Sequence, residues 1–390
     1  MTTIRDLCLS IGSGSTPSRK RPEFFIGDIP WLKTKELADA TVFDTEEKVS
    51  ALALERSSCK LLPAGAVVMA MYGATVGKLG ILGRQMTTNQ ACCAMVTNPD
   101  LLDNRYLFYW LKRNRREIQD LSNGAAQQNL SVRTIGAIEI EPPSVVEQVR
   151  ISRVLGSLDD KIAANTEAVR TIDRLRNALW HRNIEDGTTA VPLSSLASFV
   201  NGGAFTKNAT GTGRVVVRIA EMSSGIGNNT VRNELDVSET KVVKPGELLF
   251  SWSGTLMTKR WPYDEAIVNQ HIFKVIPDHG FPLAFLDCAI EQQLNFFKMI
   301  AAGKATTMGH IKRSDLDAEV QIPIQFREED LRLAESLWAN ASALEKENMI
   351  LAKTRDELLP LLMNGKITVG EAGQEAAAVG AQIPSEENKV

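Results

Sequence analysis

The chain repeats itself. At an offset of about 180 residues the same features return in the same order. A duplication of that length points to two similar folded units and argues against a short-period solenoid. LPAGAVVMAMYGATVG (62–77) is answered by KPGELLFSWSGTLM (244–257): proline, glycine, an apolar strand, an aromatic residue and a glycine turn. TTNQACCAMV (87–96) is answered by IVNQHIFKVI (267–276), with Asn-Gln ahead of a run of strand formers. NGAAQQNLSVRTIGAIEIEPP (123–143) is answered by AGKATTMGHIKRSDLDAEVQIP (302–323), a glycine-led loop followed by a strand that ends in proline.

Within each repeat, short apolar runs broken by Gly, Pro and Asn predict strands and loops. One amphipathic helix interrupts them, over 103–121 in the first repeat and 281–300 in the second. Lys112, Arg113, Arg115 and Arg116 are expected on the exposed side of the first. Each repeat then closes with a longer helix whose apolar residues step by four and three. The first seam runs Ile151, Leu155, Leu158, Ile162, Asn165, Val169, Ile172, Arg176, Leu179. The second runs Leu337, Ala341, Leu344, Asn348, Leu351, Arg355, Leu358, Leu362. A 3.5-residue repeat of this kind is a coiled-coil seam, and a single Asn within it fixes register at some cost in stability. Antiparallel pairing would set Asn165 opposite Asn348. The first helix would run roughly 50 Å at 1.5 Å per residue, more than one turn of DNA at roughly 34–36 Å. Off the seam, Arg150, Arg153, Arg170, Arg174, Trp180, Arg332, Trp338 and Leu359 form an apolar-plus-Arg surface suited to a protein partner.

Composition narrows the chemistry. With 390 residues, 44% hydrophobic and 23% charged, the chain has the make-up of a globular protein of two or three domains. No stretch reaches the ~20 apolar residues of a membrane span, and MTTIRDLCLSIGSGSTP lacks the basic leader and apolar core of a secretion signal. Five cysteines without a CxxC pair suggest reduced thiols in the cytoplasm. Net charge is −3, but residues 1–143 hold 17 Lys/Arg against 15 Asp/Glu and residues 326–390 hold 7 against 12. The acid excess lies at the C-terminal end, so the first unit can still present a basic face. GATVGKLG (73–80) lacks the spacing and the Ser/Thr of a phosphate-binding loop. EPPS (141–144) lacks the aromatic residue of an adenine methyltransferase motif. Asp159-Asp160-Lys161 superficially resembles a nuclease cluster but lies on the first long helix. His181, His271, His279 and His310 have no metal-ligand spacing, and of Cys92 and Cys93, which alternate faces of a strand, one is expected in the core.

GSTPSRKRPEFFIGDIPWLKTKEL (14–37), PAGAVVMAMYGATVGKLGI, TTNQACCAM, GAAQQNLSVRTIGAIEIEPPSVVEQVRI and LDDKIAANTEAV together resemble the specificity subunits of type I restriction–modification systems. RDELLPLLMNGKI (355–367) is similar to that family's C-terminal conserved segment. The resemblance implies an α+β protein in which two similar α/β target-recognition domains are joined by two long antiparallel coiled-coil helices with internal pseudo-two-fold symmetry. It places the first recognition domain at 1–145 and the first spacer helix at 146–184. The second domain follows at 185–326, the second spacer at 327–367 and a disordered acidic tail at 368–390. It further implies a subunit without a catalytic centre, each domain reading one half of a bipartite duplex target. Two modification subunits would dock on the helices and two restriction subunits would join the complex, with S-adenosylmethionine, ATP and Mg carried by those partners and no cofactor here. Unit 2 departs from the pattern, opening with VPLSSLASFVNGGAFTKNATGTG and carrying Thr306, Thr307 and Met308 where unit 1 has Gln127, Gln128 and Asn129. A self-sufficient methyltransferase or nuclease, or a coiled-coil scaffold without DNA specificity, stays open at this point.

Contact residues follow from residue type and place. Lys and Arg neutralise phosphates, while Asn and Gln read adenine edges. In the first unit the candidates are Arg19, Lys20, Arg21, Lys33, Thr34, Lys35, Tyr72, Lys78, Gln127, Gln128 and Asn129. In the second they are Lys207, Arg218, Trp252, Ser253, Lys259, Lys304, Thr306, Thr307 and Lys312. Phe24, Phe25 and Trp31 are expected in the local core.

Overall fold

The computed structural model describes residues 2–121, 129–227, 229–278, 280–303 and 309–383. The chain divides into two compact units, residues 1–161 with 351–390 and residues 162–350.

The first unit opens with strands β1 (Cys8–Ser13), β2 (Ile29–Leu32), β3 (Ala40–Val42) and β4 (Lys48–Val49), then a short helix, α1 (Ala51–Arg56). Strands β5 (Val67–Ala70), β6 (Leu79–Leu82), β7 (Thr87–Thr88) and β8 (Cys92–Thr97) follow, and then helices α2 (Asn104–Arg113), α3 (Arg115–Asp120) and α4 (Val132–Gly136). A five-stranded sheet has the order β1-β8-β5-β6-β3, and a second sheet has the order β4-β2-β7. Strand β5, Val-Val-Met-Ala, is buried on both faces, which is why it reads as a continuous apolar run and not as an alternation. Cys92 and Cys93 are both buried, and burial pushes each thiol up to about 12. Both, and not one, belong to the core, because their strand, β8, is covered on both sides over its first four residues.

Helix α5 (Val145–Glu185) leads into the second unit, with strands β9 (Thr188–Pro192), β10 (Ala197–Asn201) and β11 (Arg214–Val217), helix α6 (Ile219–Ser224), and strands β12 (Arg232–Asn233), β13 (Val242–Val243), β14 (Leu248–Ser251), β15 (Met257–Arg260), β16 (Ala266–Val268) and β17 (Ile272–Pro277). Then come α7 (Leu283–Gly303), β18 (Glu319–Pro323), α8 (Glu328–Met363) and α9 (Val369–Ala378). The order β10-β17-β14-β15 repeats the antiparallel β1-β8-β5-β6 of the first unit. The parallel pair β2/β7 likewise returns as β11/β16. The duplication read from the sequence is therefore a duplication of topology. Among the described residues, strand β3, parallel to β6, has no counterpart in the second unit's β10-β17-β14-β15 sheet.

The long helices pair in opposite senses. In the second unit Asn165 Nδ2 donates to Glu347 at 2.7 Å and Asn183 Nδ2 to Asp330 at 2.7 Å, so partners descend along α8 as numbers rise along α5. In the first unit Asp159 of α5 meets Arg355 of α8. Seam residues Ile151, Leu155, Leu158, Leu179, Ala341, Leu351, Leu358 and Leu362 are buried. The two seam asparagines do not bond each other; Asn348 instead donates to Thr166 Oγ1 at 3.2 Å and to the Ile162 carbonyl at 3.4 Å.

Three further expectations are corrected. Trp180 and Trp338 are 1% and 7% exposed and Leu359 is buried, so none of them belongs to an open partner face. Trp180 packs on Phe285 and Phe326 of its own unit, a layer that helical periodicity alone cannot reveal. The helix expected over 103–121 is two helices, because Asn114 leaves helical geometry and its side chain bonds the Trp110 carbonyl. Its basic residues are only partly free: Arg115 pairs with Asp39, and burial pushes the Lys112 ammonium down. The tail expected to be disordered forms α9 over Val369–Ala378. Thr368 and Glu371 build a capping box at its start and Ala372 and Ala376 are buried. Among the described residues no helix is long and apolar enough to cross a membrane.

Seam burial predicts its own test. Leu158, fully buried, should cost about 3 kcal/mol on replacement by Ala. Leu175, 45% exposed on the same helix, should cost under about 0.5 kcal/mol. Urea unfolding of the two variants measures the contrast.

Candidate nucleic-acid interface

Four strand ends meet at one edge of each principal sheet. In the first unit Ser13 sits opposite Cys93, Ala70 opposite Cys92 and Met69 opposite Leu79. The exit of β1, the exit of β5, the entry of β6 and the entry of β8 therefore lie side by side. In the second unit Asn201 pairs with Phe273, and Ser251 pairs with both Ile272 and Met257. The loops that leave these ends carry Arg19, Lys20, Arg21, Tyr72 and Lys78 in the first unit and Lys207, Trp252 and Ser253 in the second.

The backbone at this edge is built twice with the same hydrogen bonds. Gly14 and Ser15 donate to the carbonyls of Cys92 and Thr88, as Gly202 and Gly203 donate to those of Ile272 and Val268. Met71 donates to Ala91 and receives Leu130, as Trp252 donates to His271 and receives Ile311. Cys92 closes a turn on Asn89, as Ile272 does on Asn269. Isolated bridges Tyr72–Asn129 and Ser253–His310 complete the match. Gly14 and Gly202 are required: a Cβ on either would collide with the backbone at Thr88 or at Val268 and Asn269. The Asn-Gln motif seen in both repeats is thus a strand-entry turn against which the preceding loop is laid.

The side chains on this shared frame differ. Met71, Tyr72, Ala91 and Asn129 in the first unit correspond to Trp252, Ser253, His271 and His310 in the second. Trp252 is held by its Nε1 donating to Asn201 Oδ1 at 2.9 Å, with the His271 ring at 5.5 Å and the His310 ring at 6.3 Å. Tyr72 is 41% exposed, and Asn129 is exposed beside it. Ser253 is 4% exposed, so its hydroxyl is withdrawn from the surface.

The cations fall into two groups. Lys20, Arg21, Lys78, Lys207 and Lys312 are exposed and make no ion pair among the described residues, Arg21 lying over the Phe24 ring. Phe24 and Trp31 are buried and Phe25 packs beside them as local core. Arg19, Lys33, Lys35 and Arg218 are already paired. Glu47 binds Arg19 at 2.6 Å and Lys33 at 2.5 Å, Glu46 binds Lys35 at 2.5 Å, and Glu221 binds Arg218 at 2.7 Å. Lys33 and Arg218 occupy matching places after β2 and β11, and their backbone N–H groups donate alike to Glu36 and Glu221. Thr34 opens the short turn after Lys33, and Lys259 lies within β15. Gln127, Gln128, Lys304, Thr306 and Thr307 lie outside the described residues. Glu46 and Glu47, absent from the sequence candidates, set the charge of this edge. Adjacent acids within reach of a basic loop were the available signal. Asp159 is bonded by Tyr109 and Arg355 and Asp160 by Arg105. Among the described residues no group of three or more His, Cys, Asp or Glu is placed to hold a metal.

Residues 1–173 match the type I restriction modification DNA specificity domain. A specificity subunit of the type I restriction enzyme MjaIX from Methanocaldococcus jannaschii is 24% identical, over 93% of this chain and 92% of that protein. The chain is thus similar to type I specificity subunits along most of its length, and its first 173 residues match their DNA specificity domain. A second relative, the EcoR124I/EcoR124II specificity subunit of Escherichia coli, is 24% identical over 40% of each chain. The crystal structure of a type I S subunit from M. genitalium shares the fold, with a TM-score of 0.54 at 15% identity over 93% of this chain and 95% of that one.

In this chain Glu47 ties the basic loop to the strand behind it, and hydrogen bonds from Arg19 and Lys33 hold its carboxyl down at about 2. A lowered carboxyl stabilises the fold above its ordinary value near 4.5, and that contribution disappears as pH falls toward 2. Glu47→Gln should therefore flatten the loss of stability between pH 4.5 and 2, as followed by urea unfolding across that range.

Proposed function

We propose that the chain is the non-catalytic DNA-specificity subunit of a type I restriction–modification complex, each unit reading one half of a bipartite duplex site. The observation that carries this is the loop edge made twice on one hydrogen-bond frame with unlike side chains. Two equal readers would need equal side chains, whereas two readers of different half-sites need this combination. Exposed cations such as Lys20, Arg21 and Lys78 would meet phosphates and supply affinity. Tyr72 and Asn129 in one unit, and the Trp252 cluster in the other, would face base edges and supply choice. The paired long helices would dock two modification subunits, which bring S-adenosylmethionine. Two restriction subunits would complete the cytoplasmic complex, with ATP and Mg on their side.

Replacing residues 1–145 by the matching segment of another such subunit should change one half of the methylated motif and leave the other half and the separation alone. Methylome sequencing of cells holding the complete system reads this directly, and a change in both halves contradicts independent reading. With the modification subunits bound, duplex affinity should fall steeply with salt. Glu47→Gln, which releases Arg19 and leaves Lys33 only its longer pair with Glu46 at 3.6 Å, should strengthen binding to unrelated duplex and steepen that slope. A purified chain that bound S-adenosylmethionine by itself would favour a self-sufficient methyltransferase instead.

A further inference from the structure

An apolar seam presses α5 against α8 but fixes angle and register weakly, because one heptad resembles the next. Charge-assisted hydrogen bonds are directional and lose most of their worth when donor and acceptor shift. Among the charge-assisted networks on α5, those at Asp159 and Asp173, the same heptad position two repeats apart, also reach α8 and the part of the unit that bears the sheet.

In the first unit Asp159 Oδ1 accepts Arg355 Nη1 of α8 at 2.5 Å, and its Oδ2 accepts the Tyr109 hydroxyl of α2 at 2.6 Å. Tyr109 is 2% exposed, so this hydroxyl has no water to turn to. In the second unit Arg260, on β15, donates through Nε to Glu345 of α8 at 2.8 Å and through Nη1 to Asp173 of α5 at 3.3 Å. Its guanidinium stands 4.7 Å from the Trp338 ring centroid, with that of Arg176 5.2 Å from the same centroid. Arg176 continues to Asp287 of α7 at 2.7 Å. Each network thus ties a side chain of the sheet-bearing part, Tyr109 or Arg260, into side chains of both long helices.

We propose that these two knots are positioning residues: each fixes the angle at which its recognition unit stands on its own stretch of the helix pair. The separation of half-sites that the chain accepts then depends on them. The proposal rests on the two-reader function given above. Buried charges are a poor source of stability compared with apolar side chains of similar volume. What two carboxylates at one heptad position supply is a defined geometry.

The test compares methylomes of cells carrying the complete system with wild-type chain, Tyr109→Phe, Asp173→Asn or Arg105→Ala. Tyr109→Phe keeps the ring and removes one hydroxyl, and Arg105→Ala removes an exposed pair to Asp160 as a control. Tyr109→Phe and Asp173→Asn should keep both half-site sequences. Each should also raise the share of methylated sites whose halves stand one base pair nearer or farther by about tenfold. Arg105→Ala should not. Methylation confined to the original separation in both variants, whether at full or reduced extent, overturns the positioning role and leaves the knots merely structural. A wild-type methylome with no split motif fails the two-reader function itself.

Discussion

Helices in water draw most of their stability from burying an apolar stripe, since propensity alone leaves even long isolated ones marginal. Helix α5 runs 41 residues and α8 runs 36, and each finds in the other the surface that keeps it helical. Leu155 and Leu158 bury with Leu351, Leu358 and Leu362 in one unit. In the other, the stripe continues through Asn165 and Leu179, with Ala341 on the facing helix. The remaining attachments depend on this pairing: Tyr109 needs Asp159 held in place by Arg355, and Arg260 needs Asp173 and Glu345 presented together.

The loop edges show how one architecture carries two chemistries. Their frame consists of backbone hydrogen bonds, which depend on strand register and on two glycines and hardly at all on side-chain identity. Side chains that project from such a frame can change without refolding it. Met71 for Trp252, Tyr72 for Ser253 and Asn129 for His310 are exchanges of this sort, made without loss of the matching bonds.

Much of this was legible in the sequence where the governing interaction is local or repeated. The seams were visible because contacts along a helix recur every three or four residues, and the duplication was visible because glycine, proline and Asn-Gln mark backbone geometry. What could not be read depends on partners distant in the chain. Arg19 is paired with a carboxylate 28 positions later, and Trp338 is covered by Arg260 and Arg176. A helical wheel assigns such residues to solvent because it knows nothing of the second layer. The break at Asn114 turns on one side chain bonding a carbonyl four residues back, a competition that residue type permits without dictating. The tail helix did carry a legible signature, Thr368 followed by Glu371, but its buried stripe is alanine and too small to register as periodicity.

Pairing cations with acids at the loop edge has a consequence for discrimination. Lys and Arg meet the phosphates of every sequence alike, so each free cation strengthens wrong sites as much as the right one. Lys33 and Arg218, at matching positions, are each held by a glutamate in a fixed direction, and Arg19 shares Glu47 with Lys33. To engage a duplex, as the proposed function requires, they would have to exchange one anion for another, which would gain less than a free cation. In the proposed function non-specific affinity would thereby be lowered, while base-edge contacts would keep their full weight, so the ratio between matched and unmatched duplex would rise. For the two-unit reader proposed above this would matter doubly, because sequence-blind affinity in either unit would let it rest on sites that match only one half.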